Sequence, residues 1–169
     1  GIIVDPITAI MLVVVTGVSL LVQVYSLGYM RGDPGLARYF AIMCLFTASM
    51  VGLVISSNIV QLYVFWELVG VCSYLLIGFW YRQSAAILAA KKAFLVTRLG
   101  DIGFLLAILY LFYNSGAFAD QGLNSLDIGD INAGARVGIL GGMAMTWIAV
   151  GIFAGAVGKS AQFPLHVWL

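Results

Sequence analysis

The sequence predicts an all-α membrane protein with about five transmembrane helices, the last one broken near Lys159–Pro164. Three observations carry that prediction. Of 169 residues, 63% are hydrophobic and 9% charged, where soluble domains hold roughly 45–50% and about 25%. A globule of this length has too much surface to hide so many apolar side chains from water. Five apolar stretches, each at least about 20 residues long and so able to cross a bilayer, alternate with polar turns. The last stretch, Val137–Leu169, runs for 33 residues and contains Pro164. A straight helix of that length would reach roughly 50 Å at ~1.5 Å per residue, against a hydrocarbon core of ~30 Å.

The first helix is expected over residues 6–27, because Asp5-Pro6 supplies a capping carboxylate followed by proline at the first helical position. The second follows the polar turn Arg31-Gly-Asp-Pro-Gly35 and covers 36–55. The third, 59–80, follows the break Ser56-Ser57-Asn58. The fourth is placed at 93–113, with Ala85–Lys92 also helix-prone. Residues 114–136 read as a loop whose Asp120, Asp127 and Asp130 are solvated. The fifth helix is expected from Val137 and is interrupted close to Lys159–Pro164, since residues before proline disfavour helix. A break at membrane depth is tolerated where protein or a water-filled cavity surrounds it. The whole of 1–169 reads as one transmembrane helical unit. Gly1 in place of Met and an apolar run at Leu169 suggest a piece of a larger protein.

Arg31 and Arg38 lie between the first two helices, and Arg82, Lys91 and Lys92 between the third and fourth. These connections share one side, which the positive-inside rule assigns to the cytoplasm or its organelle equivalent. Lys91 and Lys92 read as interfacial anchors. Tyr25, Tyr29, Trp80, Tyr81 and Tyr113 stand near helix ends, as aromatic belts do. Gly138/Gly142 and Gly151/Gly155 have GxxxG spacing, read first as close packing within the chain and second as a dimer seam.

Several functions are disfavoured. Net charge is +1, so nothing points to nucleic acid. Cys44 and Cys72 sit singly in apolar runs, without a CxxC or Cys/His cluster that would hold a metal or Fe–S centre. No glycine-rich phosphate loop is present. No cofactor and no redox chemistry are expected in this chain.

The chemistry resides in a few ionisable groups. Glu67 falls about halfway along the third helix, with no basic residue within a turn or two. A charge at the bilayer centre costs at least a few kcal/mol, and a carboxyl placed there is expected to take and release a proton, as groups on an ion path do. The bland alternative is a neutral acid that donates a hydrogen bond between helices. Lys159 has two positions open to it: at the far interface, where it would snorkel, or in the core beside the break, where it could carry a proton. Arg98 and Asp101, three apart, share one face of the fourth helix. They read either as a local neutralising pair or as a pair that tunes the Glu67 region. His166, the only histidine, suits a proton relay or a polar tip at an interface.

Three stretches carry a resemblance. They are Phe65-Trp-Glu-Leu-Val-Gly-Val-Cys-Ser-Tyr-Leu-Leu-Ile-Gly-Phe79, Lys92-Ala-Phe-Leu-Val-Thr-Arg-Leu-Gly-Asp101 and Gly158-Lys-Ser-Ala-Gln-Phe-Pro-Leu-His-Val-Trp-Leu169. In that order they resemble subunit 5, the antiporter-like subunit of proton-translocating NADH:quinone oxidoreductase (complex I), and of its plastid and cyanobacterial relatives. The resemblance implies proton translocation driven by electron transfer in other subunits, which hold NADH, FMN, Fe–S clusters and quinone. It implies other membrane subunits of that complex, lipid and protons as partners. The expected location is a bacterial cytoplasmic membrane first, otherwise a mitochondrial inner or thylakoid membrane. Glu67 matches the family's central-helix glutamate, Lys159 the lysine on its broken helix, and Arg98 and Asp101 its Arg–Asp pair. His166 falls where the family varies and is kept as a supporting residue. Glu67 and Lys159 are expected to approach as an ion pair or to separate as nearby charges change. A multi-subunit Na⁺/H⁺ antiporter or a membrane-bound hydrogenase is the alternative family, and a purely structural scaffold the alternative role.

Overall fold

The computed structural model describes residues 1–169. Its helices are α1 Pro6–Tyr29, α2 Leu36–Val54, α3 Ile59–Ile77, α4 Ser84–Tyr113, α5 Ser115–Ala119, α6 Ile128–Val137 and α7 Gly142–Lys159, followed by a 3₁₀ turn at Leu165–Trp168. Two isolated backbone bridges are the only β pairing. Five helices, α1 to α4 and α7, are long and apolar enough to cross a membrane.

Local chemistry sets the helix starts. Asp5 caps α1 by accepting the Thr8 N–H at 2.7 Å, with Pro6 in the first turn. Asp33 accepts the Gly35 N–H at 2.6 Å in the turn before α2, and Asn58 accepts the Val60 N–H at 2.9 Å at the start of α3. Helix α3 stops at Ile77 rather than Trp80, because Gly78 ends it and Phe79 and Trp80 build the next turn. There Arg38 donates to the Phe79 carbonyl at 2.8 Å, and Trp80 Nε1 donates to Asp33 Oδ2 at 3.3 Å. The two basic connections are thereby tied together at one end of the bundle. Helix α4 begins at Ser84, so the helix-prone Ala85–Lys92 segment is part of it.

The segment between α4 and α7 is not the solvated loop expected from its aspartates. It holds α5 and α6. Asp127 caps α6 through the Gly129 N–H at 2.9 Å, and Asp130 accepts the Asn124 N–H at 2.8 Å. Backbone bonds Ile59 N–H to Leu126 O and Ile128 N–H to Ser57 O, both 2.9 Å, tie it to the α2–α3 turn. Phe118 of α5 is fully buried beneath it. Asp127 and Asp130 satisfy backbone donors that would otherwise lack partners, while Asp120 is exposed, as a solvated carboxylate would be. Nor does a helix start at Val137. That residue ends α6, Gly138 turns the chain at φ 75°, and α7 opens at Gly142. The long apolar run is thus divided twice, at Gly138–Gly141 and again after Lys159.

Adjacent helices pack in the order α1–α2–α3–α4–α7. The α4–α7 contact is the most extensive and depends on missing side chains: a Cβ on Gly151 would lie 2.6 Å from Gly103 O, and one on Gly100 2.6 Å from Ala154 O. Gly151 and Gly155 therefore serve close packing within the chain, Gly155 against Phe104. Gly138 and Gly142 do not, because nothing lies within 4 Å of a Cβ at either; they mark helix ends instead.

Candidate functional site

Pairing α7 closely to α4 decides where Lys159 sits. Gly158 lies against Gly100 and Thr97, about halfway along the 30-residue α4. Of the two positions open to Lys159 in the sequence, the structure takes the inner one. Helix α7 stops there because Ser160 caps it and Ala161 adopts φ 50°. The chain then turns back, and Trp168 Nε1 donates to the Gly158 carbonyl at 3.0 Å.

Four charged side chains from three helices meet at this height. Arg98 of α4 forms an ion pair with Glu67 of α3. The same guanidinium stands 3.6 Å from Asp101 Oδ2, one turn further along α4. Asp101 Oδ2 in turn stands 3.7 Å from Lys159 Nζ on α7. The sequence of contacts is Glu67–Arg98–Asp101–Lys159, and the four formal charges cancel. Glu67 and Lys159, expected either to approach as an ion pair or to separate, are apart here: Arg98 and Asp101 of α4 stand between them. Arg98 and Asp101 are both a local pair and the bridge between α3 and α7.

Burial is uneven along this line and deepest at Asp101. The Glu67 and Arg98 side chains are 21% and 25% exposed, Lys159 16%, and Asp101 2%. Asp101 Oδ2 and Lys159 Nζ are buried without a hydrogen bond. Their attraction is therefore ionic and of longer range, and it can be made or broken by small movements. The Arg98 guanidinium also lies 4.4 Å from the Phe94 ring centroid, a cation–π contact that supports the charge from the apolar side.

Two neighbours went unnoticed in the sequence. Trp66 donates its indole N–H to Asp101 Oδ1 at 2.7 Å; it adjoins Glu67 in the chain, but its partner is on another helix, so only an assumed α3–α4 register could have revealed it. Gly70 supplies space: a Cβ there would collide with Lys159 Nζ. Next to the lysine lies a cavity of about 220 Å³ that Ser73, Tyr74, Thr97 and Trp168 help to line. A second of about 210 Å³ shares Tyr74 with it and Arg38 with a third, of about 460 Å³, at the basic turns. The three lie in series from that end of the bundle towards Lys159.

His166 is not part of this cluster. Its ring is exposed and stacks on Phe163, with centroids 5.8 Å apart.

The family model described as "NADH:quinone oxidoreductase/Mrp antiporter, TM" matches residues 56–169, which include every member of the charged line. The chain belongs to that family. The model described as "NADH-Ubiquinone oxidoreductase (complex I), chain 5 N-terminus" matches residues 1–40. Among curated relatives, NAD(P)H-quinone oxidoreductase chain 5 of Synechocystis sp. is 51% identical over 175 residues, covering all of this chain and 24% of that protein. The chloroplastic subunit 5 of Mesostigma viride is 50% identical over 172 residues, and that of Carpenteria californica 48% over 169, again over all of this chain and 25% and 22% of those proteins. The chain spans about a quarter of the length of the curated relatives it matches. Membership of this family and the five apolar helices together make it an integral membrane protein.

Proposed function

We propose that this chain contributes to proton translocation across the membrane as part of an NADH:quinone oxidoreductase, driven by electron transfer in other subunits that hold the flavin, Fe–S clusters and quinone. The observation that carries the proposal is the line Glu67–Arg98–Asp101–Lys159 at mid-height of the bundle. Charged groups there are costly and usually mark ion paths. The complex I chain 5 match at the N-terminus and the names of the relatives favour this complex over an Na⁺/H⁺ antiporter. Their cyanobacterial and chloroplast sources support a thylakoid or bacterial cytoplasmic membrane.

Arg98 is the pivot of the proposed relay. Its guanidinium does not deprotonate in proteins, so it moves charge only by moving position. Paired with Glu67, it leaves Asp101 to hold the Lys159 ammonium. When the Glu67 charge is lost or drawn away, Arg98 swings to Asp101, and Lys159 loses its counter-charge and releases a proton. Two unit charges 4 Å apart interact by about 4 kcal/mol at an effective dielectric of 20. That is enough to change the lysine's protonation equilibrium constant by more than a hundredfold. In this reading the proton enters from the side of the basic turns, by way of the cavities between them and Lys159.

The test is Glu67→Gln and Lys159→Met in the full-length subunit within the assembled complex, in closed vesicles. Proton translocation is expected to fall in both while the complex still assembles. Translocation at the wild-type ratio to electron transfer in both variants would remove the relay; failure of the complex to assemble would favour a scaffold role for the charges.

A further inference from the structure

Trp66 is the one polar member of the cluster that carries no charge, and the relay as described does not use it. Its indole nitrogen lies 2.7 Å from Asp101 Oδ1, and its ring faces the Lys159 ammonium, with Nζ 5.9 Å from the centroid. One side chain of α3 thus touches an acid of α4 and a base of α7. The ring is itself fixed. It meets Phe104 edge-on, centroids 5.8 Å apart and planes at 83°, and Phe104 is in turn held edge-on by Tyr63 at 5.3 Å and 89°. Phe104 is 2% exposed.

The two oxygens of Asp101 have different surroundings. Oδ1 takes the indole N–H, while Oδ2 faces Arg98 at 3.6 Å and Lys159 at 3.7 Å and accepts no hydrogen bond. A carboxylate turns readily about its terminal torsion, which is broad and roughly two-fold. Something must hold it with one oxygen towards both cations. An indole N–H is a donor only, so it can anchor Oδ1 but can neither accept a proton nor pass one on.

We propose that Trp66 is a positioning residue for the relay: its N–H pins Asp101 Oδ1, so that Oδ2 is shared between Arg98 and Lys159, and its ring face steadies the ammonium. This rests on the relay reading above. Competition between the two cations for a single oxygen is what links the state of Glu67, through Arg98, to the proton on Lys159. A carboxylate free to turn would give one oxygen to each cation and break that link.

The experiment uses Trp66→Phe, which keeps an aromatic ring against Phe104 and removes the donor. Protons moved per electron, electron-transfer rate and assembly are measured for the full complex in closed vesicles, with W66F, D101N and the double variant side by side. Loss of a charge-assisted hydrogen bond changes the equilibrium it controls by about tenfold, so the proton-to-electron ratio of W66F is expected to fall. The double variant is expected to be no worse than D101N, because Trp66 acts through Asp101. A wild-type ratio in W66F, or losses that add in the double variant, overturns the proposal. If E67Q and K159M lower the ratio and W66F does not, only the role of Trp66 falls; if E67Q and K159M leave it unchanged, the relay itself falls. Should W66F not assemble, Phe104→Leu decides the matter: it removes the ring that orients the indole, a lowered ratio supports the proposal, and an unchanged one overturns it.

Discussion

Lys159 Nζ stands 3.7 Å from Asp101 Oδ2, and the residue that bonds to Glu67 is Arg98. In the proposed relay the acid of α3 reaches the amine of α7 through α4. Asp101, 2% exposed, is the anion shared by both cations. Asp101→Asn keeps the shape and the Trp66 acceptor but leaves the Lys159 ammonium without a counter-charge beside an Arg98 that only Glu67 still pairs. Removing one partner from a buried ion pair costs about 3–5 kcal/mol. D101N is expected to lower the thermal midpoint of the detergent-solubilised complex and to abolish the dependence of translocation on Glu67. A midpoint and a ratio both equal to wild type would count against Asp101 as the bridge.

Gly70 makes a sharper probe of the lysine. A Cβ at this position meets the end of the Lys159 side chain and not backbone. Gly70→Ala is therefore expected to leave assembly intact, because a flexible side chain can yield, while displacing the ammonium from Asp101. Translocation is expected to drop with electron transfer retained. Gly28→Ala, where nothing lies within 4 Å of the added methyl, is the matched control and should behave as wild type in the same vesicle assay.

The α4–α7 seam yields a different outcome. Gly151 faces the Gly103 carbonyl with no room for a side chain, and backbone cannot move aside as a lysine tail can. Overpacking of this kind costs typically about 1–3 kcal/mol. Gly151→Val is expected to separate the helices, lift Lys159 from Asp101 and reduce the yield of assembled subunit, measured on native gels. Normal assembly would mean that the seam is looser than these contacts indicate.

How much of this was legible in the sequence depends on whether a feature lies within one helix. The five spans, the break after Lys159 and the spacing of Arg98 and Asp101 follow from apolar length, Pro164 and helical periodicity, all local signals. The end of α3 at Ile77 and the division at Gly138 were missed because apolar residues continue through both, and only the backbone conformation stops the helix. Asp127 and Asp130 read as solvated like Asp120 because a carboxylate that caps a helix or turn and one in water have the same composition. At the site, residue identity singled out Glu67 and Lys159 as costly charges, but their partners come from α4 and could not be assigned without the register of α3, α4 and α7. Trp66 and Gly70 stayed hidden for the same reason: one looks like any apolar aromatic, the other like any small residue in a membrane helix.

Acid should loosen the start of α1 in a way that one substitution removes. Asp5 is held below its ordinary value of 3.8, first by the Thr8 backbone N–H that its carboxylate accepts. A depressed folded-state value means that the cap stabilises the helix above the unfolded value and that this contribution is lost as pH falls through the folded one. The loss therefore lies on the acid side of 3.8, well away from the range in which the complex would work. Hydrogen exchange at the Thr8 amide reports it: protection is expected to decline on acidification beyond the ordinary change in intrinsic exchange. Asp5→Asn retains a capping oxygen without a titrating group, so its protection should follow the intrinsic rate alone. Identical acid profiles for the two proteins would show that the Asp5 carboxylate does not control the α1 terminus.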